Sequence, residues 1–217
     1  MEPIYFISYE KDDGFLNIDS AIINNTKEKK YIPKFIKGYS LNQHPEIKKT
    51  QIMYLNFLHK AIPFLMNRKE YGFLCAEDDA IINIPSNELT EIINKNGKNN
   101  ILWLGYQKIL KKKGEIDFVV GGQLIYIPKS RLKHLRDIMN NTRPQLIDRF
   151  LLNKRQQIGL KLVPQNLKKI YSKSNADGKL VSEMTSESAT TGKVRKGVNL
   201  QPLGRDTKII SCPSKSQ

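Results

Sequence analysis

Residues 71 to 84, Tyr71-Gly72-Phe73-Leu74-Cys75-Ala76-Glu77-Asp78-Asp79-Ala80-Ile81-Ile82-Asn83-Ile84, set three consecutive carboxylates inside an otherwise apolar run. An apolar run of this kind, bounded by Gly72 and Pro85, predicts a short buried strand. Three adjacent acids at its end repel one another, and they lose hydration when apolar neighbours partly enclose them. Two arrangements answer that cost. In one the acids form a solvated turn; in the other the strand delivers them to an edge where a cation meets them. The cation would be hard and divalent, because oxygen ligands suit Mg²⁺ or Mn²⁺. Such ions commonly keep one or two protein carboxylates and fill the rest of the shell with water and phosphate oxygens.

The neighbours of this stretch argue for an α/β unit. Ser86 to Asn94 continues as Ser-x-x-Leu-x-x-Ile-Ile with Glu88 and Glu91 in its first turns, a helix start. Upstream, Pro3 to Tyr9 is β-branched and aromatic and predicts a first, central strand that runs into the polar loop Glu10-Lys11-Asp12-Asp13-Gly14. Phe15 to Asn24 is ambiguous, Asn25 to Lys30 reads as a polar, basic loop, and Tyr31 to Tyr39 as a second strand region. Residues 46 to 66 place Ile47, Ile52, Leu55, Leu58, Ile62 and Leu65 at helical spacing, with Pro63 expected to bend or end the helix. Asn100 to Tyr106 predicts a strand, followed by a basic excursion with Lys111, Lys112 and Lys113. Phe118 to Ile127 is a strand interrupted by Gly121-Gly122, a pair that marks either a bulge or the close approach of a ligand or another backbone. Helices are expected from Pro128-Lys129-Ser130 and over Arg143 to Leu152, and a last strand over 158 to 163. Strands alternating with helices predict a mainly parallel sheet, whose carboxyl edge is the ligand-binding edge.

Charge divides the chain. The net charge is +15, and residues 151–217 hold 13 Lys and Arg against 4 Asp and Glu, which leaves +6 for residues 1–150. After Tyr171 no aromatic residue occurs, and Ser, Thr, Lys, Gly and Asn dominate, so 172–217 reads as a basic tail or linker and 1–171 as the folded domain. Val198-Asn199-Leu200 and Ile209-Ile210 are the tail segments able to pack back on it. No run approaches the roughly 18 apolar residues of a membrane span, and Met1-Glu2-Pro3 lacks the basic start of a signal peptide, so the expectation is a protein of the cytoplasm. Of two cysteines, Cys75 lies in the apolar strand and reads as a buried hydrophobe, while Cys212 sits in the tail.

A phosphate-binding Gly-x-x-x-x-Gly-Lys-Ser/Thr loop, a Gly-x-Gly-x-x-Gly fingerprint and a serine-hydrolase elbow are all absent. With His44, His59 and His134 the only histidines, histidine-centred chemistry is disfavoured. Carboxylate and metal chemistry on a phosphate-bearing substrate remains, and the basic surplus fits such a substrate. The same surplus fits a nucleic-acid-binding module, although no motif of the known modules is present. A metal-dependent nuclease or phosphohydrolase would use the same acids, but two-metal sites gather carboxylates from several strands. The other strand ends offer Glu10, Asp12, Asp13 and Asp117.

A first strand ending in a polar loop, an intervening helix, an apolar strand ending in Glu77-Asp78-Asp79, and Gly121-Gly122-Gln123 leading into Tyr126-Ile127-Pro128-Lys129 and a helix together resemble the GT-A type nucleotide-sugar glycosyltransferases. Within them the chain is most similar to the bacterial lipooligosaccharide glycosyltransferases and to the capsid-protein glycosyltransferases of large algal DNA viruses, over roughly residues 3 to 171. The resemblance implies a single α/β, Rossmann-like GT-A domain with a mainly parallel central sheet. It implies transfer of a sugar from a nucleoside diphosphate sugar, with uridine diphosphate (UDP) the expected nucleotide, to a glycan or glycoprotein acceptor. It implies Mn²⁺ or Mg²⁺ held by Asp79, with Asp78 on the ribose or the metal and Glu77 in support. Ser8 and Tyr9 would border the base, Gly121, Gly122 and Gln123 would face the sugar and acceptor, and Asp148 would be the carboxylate near the reacting hydroxyl. A viral origin would place it in the host cytoplasm. The chain departs from many such enzymes in two respects: no histidine follows His134 to add a metal ligand, and the tail after Tyr171 has no counterpart in them.

Overall fold

The structure is a computed structural model that describes residues 3–10, 18–40, 42, 44–48, 50–110, 116–163, 170–172 and 183–185, the side chains of 9, 10, 107–110, 116–120, 171, 172 and 183–185 excepted. Its centre is a mixed, mostly parallel sheet in an α/β arrangement. Strands β1 (Pro3–Glu10), β2 (Ile32–Ser40), β3 (Gly72–Glu77), β5 (Ile101–Leu110), β6 (Ile116–Pro128) and β7 (Leu160–Leu162) lie in the order β2-β1-β3-β6-β5-β7. β9 (Glu183–Thr185), from the segment expected to be tail, pairs parallel with the end of β5. A separate antiparallel pair joins β4 (Ala80–Ile82) to β8 (Ile170–Ser172).

Alternation along the strands sorts the apolar side chains into two cores. Tyr5, Ile7, Phe73, Cys75, Ile125 and Ile127 face one side and pack under Tyr54, Phe57 and Ile62, under Leu132 and Leu135, and under Phe150 and Leu151. Those residues belong to a long helix composed of α2 (Ile52–Asn56), a wide π turn (Phe57–Ala61) and α3 (Ile62–Met66), to α5 (Lys129–Asn140) and to α6 (Ile147–Ile158). Ile4, Phe6, Leu74, Ala76 and Leu124 face the other side, against Ile22 of α1 (Ser20–Glu28), Leu89 of α4 (Ser86–Asn96) and the β4–β8 pair. Period-two alternation with both faces apolar is what a sheet covered on both sides requires. At Gly105 the β5–β6 register shifts, the alternation changes phase, and Tyr106 turns back to Trp103, ring centroids 5.9 Å apart.

Several boundaries differ from the sequence reading, each for a local reason. The expected loop over Asn25–Lys30 is helical through Glu28, because Asp19 caps α1 by accepting from the Ala21 N–H and Thr26 is buried with its hydroxyl on the Ile22 carbonyl. The helix expected from residue 46 begins at Ile52, since turns precede it, with the Ile47 N–H on the His44 carbonyl and the Gln51 N–H on the Lys48 carbonyl. Pro63 does not end it: the π turn just ahead absorbs the missing N–H, and α3 runs on. Arg143 to Leu146 stay outside the helix that starts at Ile147, with the Pro144 carbonyl accepting from Gln51 Nε2. Ile158 ends α6 instead of opening a strand, and Gly159 follows at φ 66°, the left-handed cap that glycine favours. β6 runs antiparallel to both β3 and β5, and the five residues between β5 and β6 are too few for a parallel crossover. Lys111–Lys113, Lys11–Gly14, Val198–Leu200, Ile209–Ile210 and Cys212 lie outside the described residues. Among the described residues no helix is long and apolar enough to cross a membrane.

Tyr54 ties the two halves of the larger core. Its hydroxyl, buried under Phe150, donates to the carbonyls of Met139 at 2.7 Å and Thr142 at 3.2 Å. Burial pushes its pKa from 10.0 up to about 12. The folded chain therefore holds this proton more tightly than the unfolded chain does. The stability Tyr54 contributes is complete below pH 10 and is lost as pH rises toward about 12. Tyr54→Phe is expected to lower the unfolding free energy at neutral pH by about 1 kcal/mol and to flatten the alkaline decline, as read by urea melts across that range.

Candidate functional site

The direction of the chain's connections reverses between β1 and β3. From β1 the chain passes through α1 to β2 on one side; it then crosses back to β3 on the other, and everything after β3 builds outward from there. In an open α/β sheet this is the switch point, and the crevice outside the carboxyl ends of those two strands is where ligands bind. The parallel register pairs Ile7 with Glu77, so Ser8 and Asp78 are the next residues out. Ser8 is fully buried, and its hydroxyl donates to Asp78 Oδ2 at 3.0 Å, which fixes that carboxylate at the mouth of the crevice. Ser8 therefore holds Asp78 at this edge. Tyr9 belongs to β1, but its side chain lies outside the described residues.

The acidic triplet divides across the sheet. Glu77 ends β3, Asp78 and Asp79 form the turn into β4, and all three are half-buried. Alternation sends Glu77 to the side of Cys75 and Ile7, where it lines a small cavity with Ile7, Met53, Phe57, Gly122, Ile147 and Leu151. Asp78 goes to the opposite side, with Ser8. Among the described residues no group of three His, Cys, Asp or Glu side chains converges as a metal centre. Asp78 and Asp79, adjacent in one turn, could supply the one or two carboxylates that a divalent ion keeps when phosphates and water complete its shell.

β6 brings the glycine pair to the same edge, since Ala76 pairs with Leu124 and β6 runs past Glu77 in the reverse direction. Gly122 lies against Glu77: a Cβ there would sit 3.1 Å from Oε1. Gly121 has φ 86°, its carbonyl accepts from Trp103 Nε1 at 2.9 Å, and its N–H donates to Asp148 Oδ2 at 3.1 Å. The Arg149 N–H donates to the other Asp148 oxygen at 2.7 Å. The β5–β6 register shifts across this pair, so it forms a bulge, and what approaches the two glycines is side chains, those of Gln123, Asp148 and Glu77, and not another backbone. Asp148, in the first turn of α6, is held beside Gly121 and so close to the Glu77 side of the crevice. Gln123 follows, 2% exposed.

The fold thus assembles Ser8 with Asp78, Glu77 with Gly122, and Gly121 with Asp148 along one edge. Sequence reasoning missed Trp103, the anchor of Gly121, although a lone Trp in an apolar strand with a donor to satisfy was a usable signal. It also missed Met53 and Ile147, which only the packing of helices on the sheet brings to Glu77. Cys75, fully buried in the same wall, has its thiol pushed up by burial and is no nucleophile. His134 is a surface residue whose Nε2 pairs with the Gln157 carbonyl.

No protein-family model and no curated protein matches the chain. Among solved structures it is similar to HddC from Yersinia pseudotuberculosis, with a TM-score of 0.42 and 5% identity over 79% of this chain and 93% of that chain, a likeness too distant to carry function.

Gly121→Ala would place a side chain at positive φ and into the Gln123 carboxamide. We expect it to destabilise the fold by about 1–3 kcal/mol. Gly122→Ala meets the end of the Glu77 side chain closely and Ile147 only at ordinary contact distance, and should cost less. Parallel denaturant melts of the two variants decide this.

Proposed function

We propose that this protein is a metal-dependent glycosyltransferase, moving a sugar from a nucleoside diphosphate sugar, UDP-linked, to a hydroxyl of a glycan or glycoprotein. The observation that carries the reading is the Ser8–Asp78 hydrogen bond across the β1–β3 switch point, which sets the Asp78-Asp79 turn at the ligand-binding edge. The resemblance of the Glu77-Asp78-Asp79 strand and the glycine pair to GT-A enzymes supports it. So does the placement of Asp148 at that same edge.

Asp78 and Asp79 would hold Mn²⁺ or Mg²⁺ together with the donor diphosphate. The ion's contribution, when bound, is to neutralise charge that develops on the departing diphosphate. The chain's own residues do the rest. Ser8 keeps Asp78 in one rotamer, so the site is formed before the donor arrives. Asp148, oriented by the Gly121 and Arg149 N–H groups, has lone pairs left to accept the acceptor hydroxyl. As the bond between the sugar anomeric carbon and the diphosphate oxygen breaks, its electron pair leaves with the nucleotide. The acceptor oxygen forms the new bond to that carbon and gives its proton to the Asp148 carboxylate. Glu77, walled by Ile7, Met53 and Ile147, shapes the crevice beside it.

Thermal unfolding with Mn²⁺ and a panel of nucleoside diphosphates and nucleotide sugars tests the donor site. A ligand that binds only the folded chain stabilises it by about 2.7 kcal/mol at a hundredfold excess over Kd. A rise with UDP that requires the metal and is lost in Asp79→Ala is the expected result. A rise with oligonucleotides and with no nucleotide would sink the reading. Asp148→Asn should keep the UDP-induced rise while transfer falls by roughly 10²–10⁴; full transfer activity in that variant removes Asp148 from its role.

A further inference from the structure

Among the described residues, Tyr71 is the most exposed of the large apolar and aromatic side chains, at 95%. A single ring left in water needs no explanation, but the surroundings of this one are selective. Phe64, 42% exposed near the end of α3, carries the Arg68 guanidinium over its ring at 5.7 Å. The Lys129 N–H donates to the Tyr71 carbonyl at 2.8 Å, and the exposed Lys129 ammonium donates to the Arg68 carbonyl. Lys69, also exposed, lies between Arg68 and Tyr71 in the chain. The acid of this segment, Glu70, is already engaged: it accepts from the Tyr5 hydroxyl at 2.7 Å and from Arg68 at 3.4 Å. Two exposed rings and three cations thus share one corner whose carboxylate is accounted for. The corner stands at the amino end of β3, because Tyr71 immediately precedes Gly72, and the acidic turn is about 20 Å away at about 3.3 Å per strand residue. It is no part of the candidate site.

Cations set around exposed rings fit a polyanion that offers apolar depth behind its charge. Single-stranded nucleic acid meets that description, but it is held in charged grooves that track its backbone, and a ring 95% exposed forms no groove wall. An anionic bilayer presents a plane. Its phosphates and carboxylates attract Lys and Arg, and aromatic rings seat at the level of its headgroups. We propose that the corner formed by Phe64, Arg68, Lys69, Tyr71 and Lys129 is a docking surface that seats the protein on an anionic membrane, with the two rings among the headgroups. The docking is independent of the transfer reaction proposed above, and it turns the carboxyl edge of the sheet away from the lipid.

Sedimentation of the full chain with vesicles of phosphatidylcholine alone, and with vesicles of an equal mixture of phosphatidylcholine and phosphatidylserine, tests the proposal. Wild type should bind the anionic vesicles and not the neutral ones, more weakly as salt rises. Lys69→Glu and Tyr71→Ser change exposed side chains, so their melting midpoints should match wild type. Lys69→Glu should weaken binding to the anionic vesicles about fivefold or more, and Tyr71→Ser several-fold. Lys48→Glu makes the same charge change at an exposed position beyond the carboxyl end of β2, and it should bind within about twofold of wild type, since the attraction falls off within a Debye length. Wild-type affinity in either corner variant overturns the proposal, as would follow if the basic segment 172–217 did the binding. An equal loss in Lys48→Glu also overturns it, because net charge alone would then suffice. A wild type that binds no anionic vesicle overturns it outright, and binding of a single-stranded oligonucleotide that Tyr71→Ser abolishes assigns the corner to nucleic acid instead.

Discussion

Everything at the carboxyl edge depends on the parallel pairing of β1 with β3. Both strands are buried on both faces, so their register is set by which side chains each core accepts. Phe6 must stand beside Ala76, and Ile7 beside Glu77. A slip by one residue would turn Cys75 and Ala76 to the wrong cores and carry the Glu77 carboxylate toward the side now filled by Ile22 and Leu89. The same register that closes the two cores brings the Ser8 hydroxyl to Asp78. Among the described residues, the geometry at this edge is a continuation of core packing.

What the sequence made legible follows from this. β1, β3 and β5 are apolar on both faces, and such runs are visible without knowing their neighbours; the stripes of α4 and α5 are visible for the same reason. Asp78 and Asp79 stood out as candidate site residues because acids next to an apolar strand are conspicuous. The orientation of β6 was not legible, because it depends on the short length of the β5–β6 connection and not on the composition of either strand. The continuation of the helix through Pro63 depends on a π turn that no local pattern announces. The start of α1 was hidden in a mixed stretch until Asp19 is seen as its cap.

The site was legible in its parts and not in its partnerships. Asp148 and Gly121 are 27 residues apart and meet only because α6 returns across the sheet edge where β6 begins its antiparallel run. Gly121-Gly122 announced an unusual backbone, yet the reason for each glycine is different: Gly121 makes room for Gln123 and an N–H for Asp148, while Gly122 makes room for Glu77. Pairwise geometry of that sort comes from tertiary packing, which single-sequence patterns do not encode.

The divided triplet also changes the electrostatic problem posed by three adjacent acids. Like charges about 4 Å apart near a protein surface repel by roughly 4 kcal/mol, so three carboxylates on one face would demand a cation merely to fold. Alternation removes most of that demand. Glu77 goes to the cavity side, and Asp78 is steadied by the Ser8 hydroxyl on the other. In the proposed reading it is the Asp78-Asp79 turn that meets the cation. Two carboxylates suffice for an ion whose other ligands are phosphate and water, and they bind it weakly enough to need the phosphates. Under the proposed reading, such a strand end would fold without metal and would gain the ion together with a diphosphate-bearing donor.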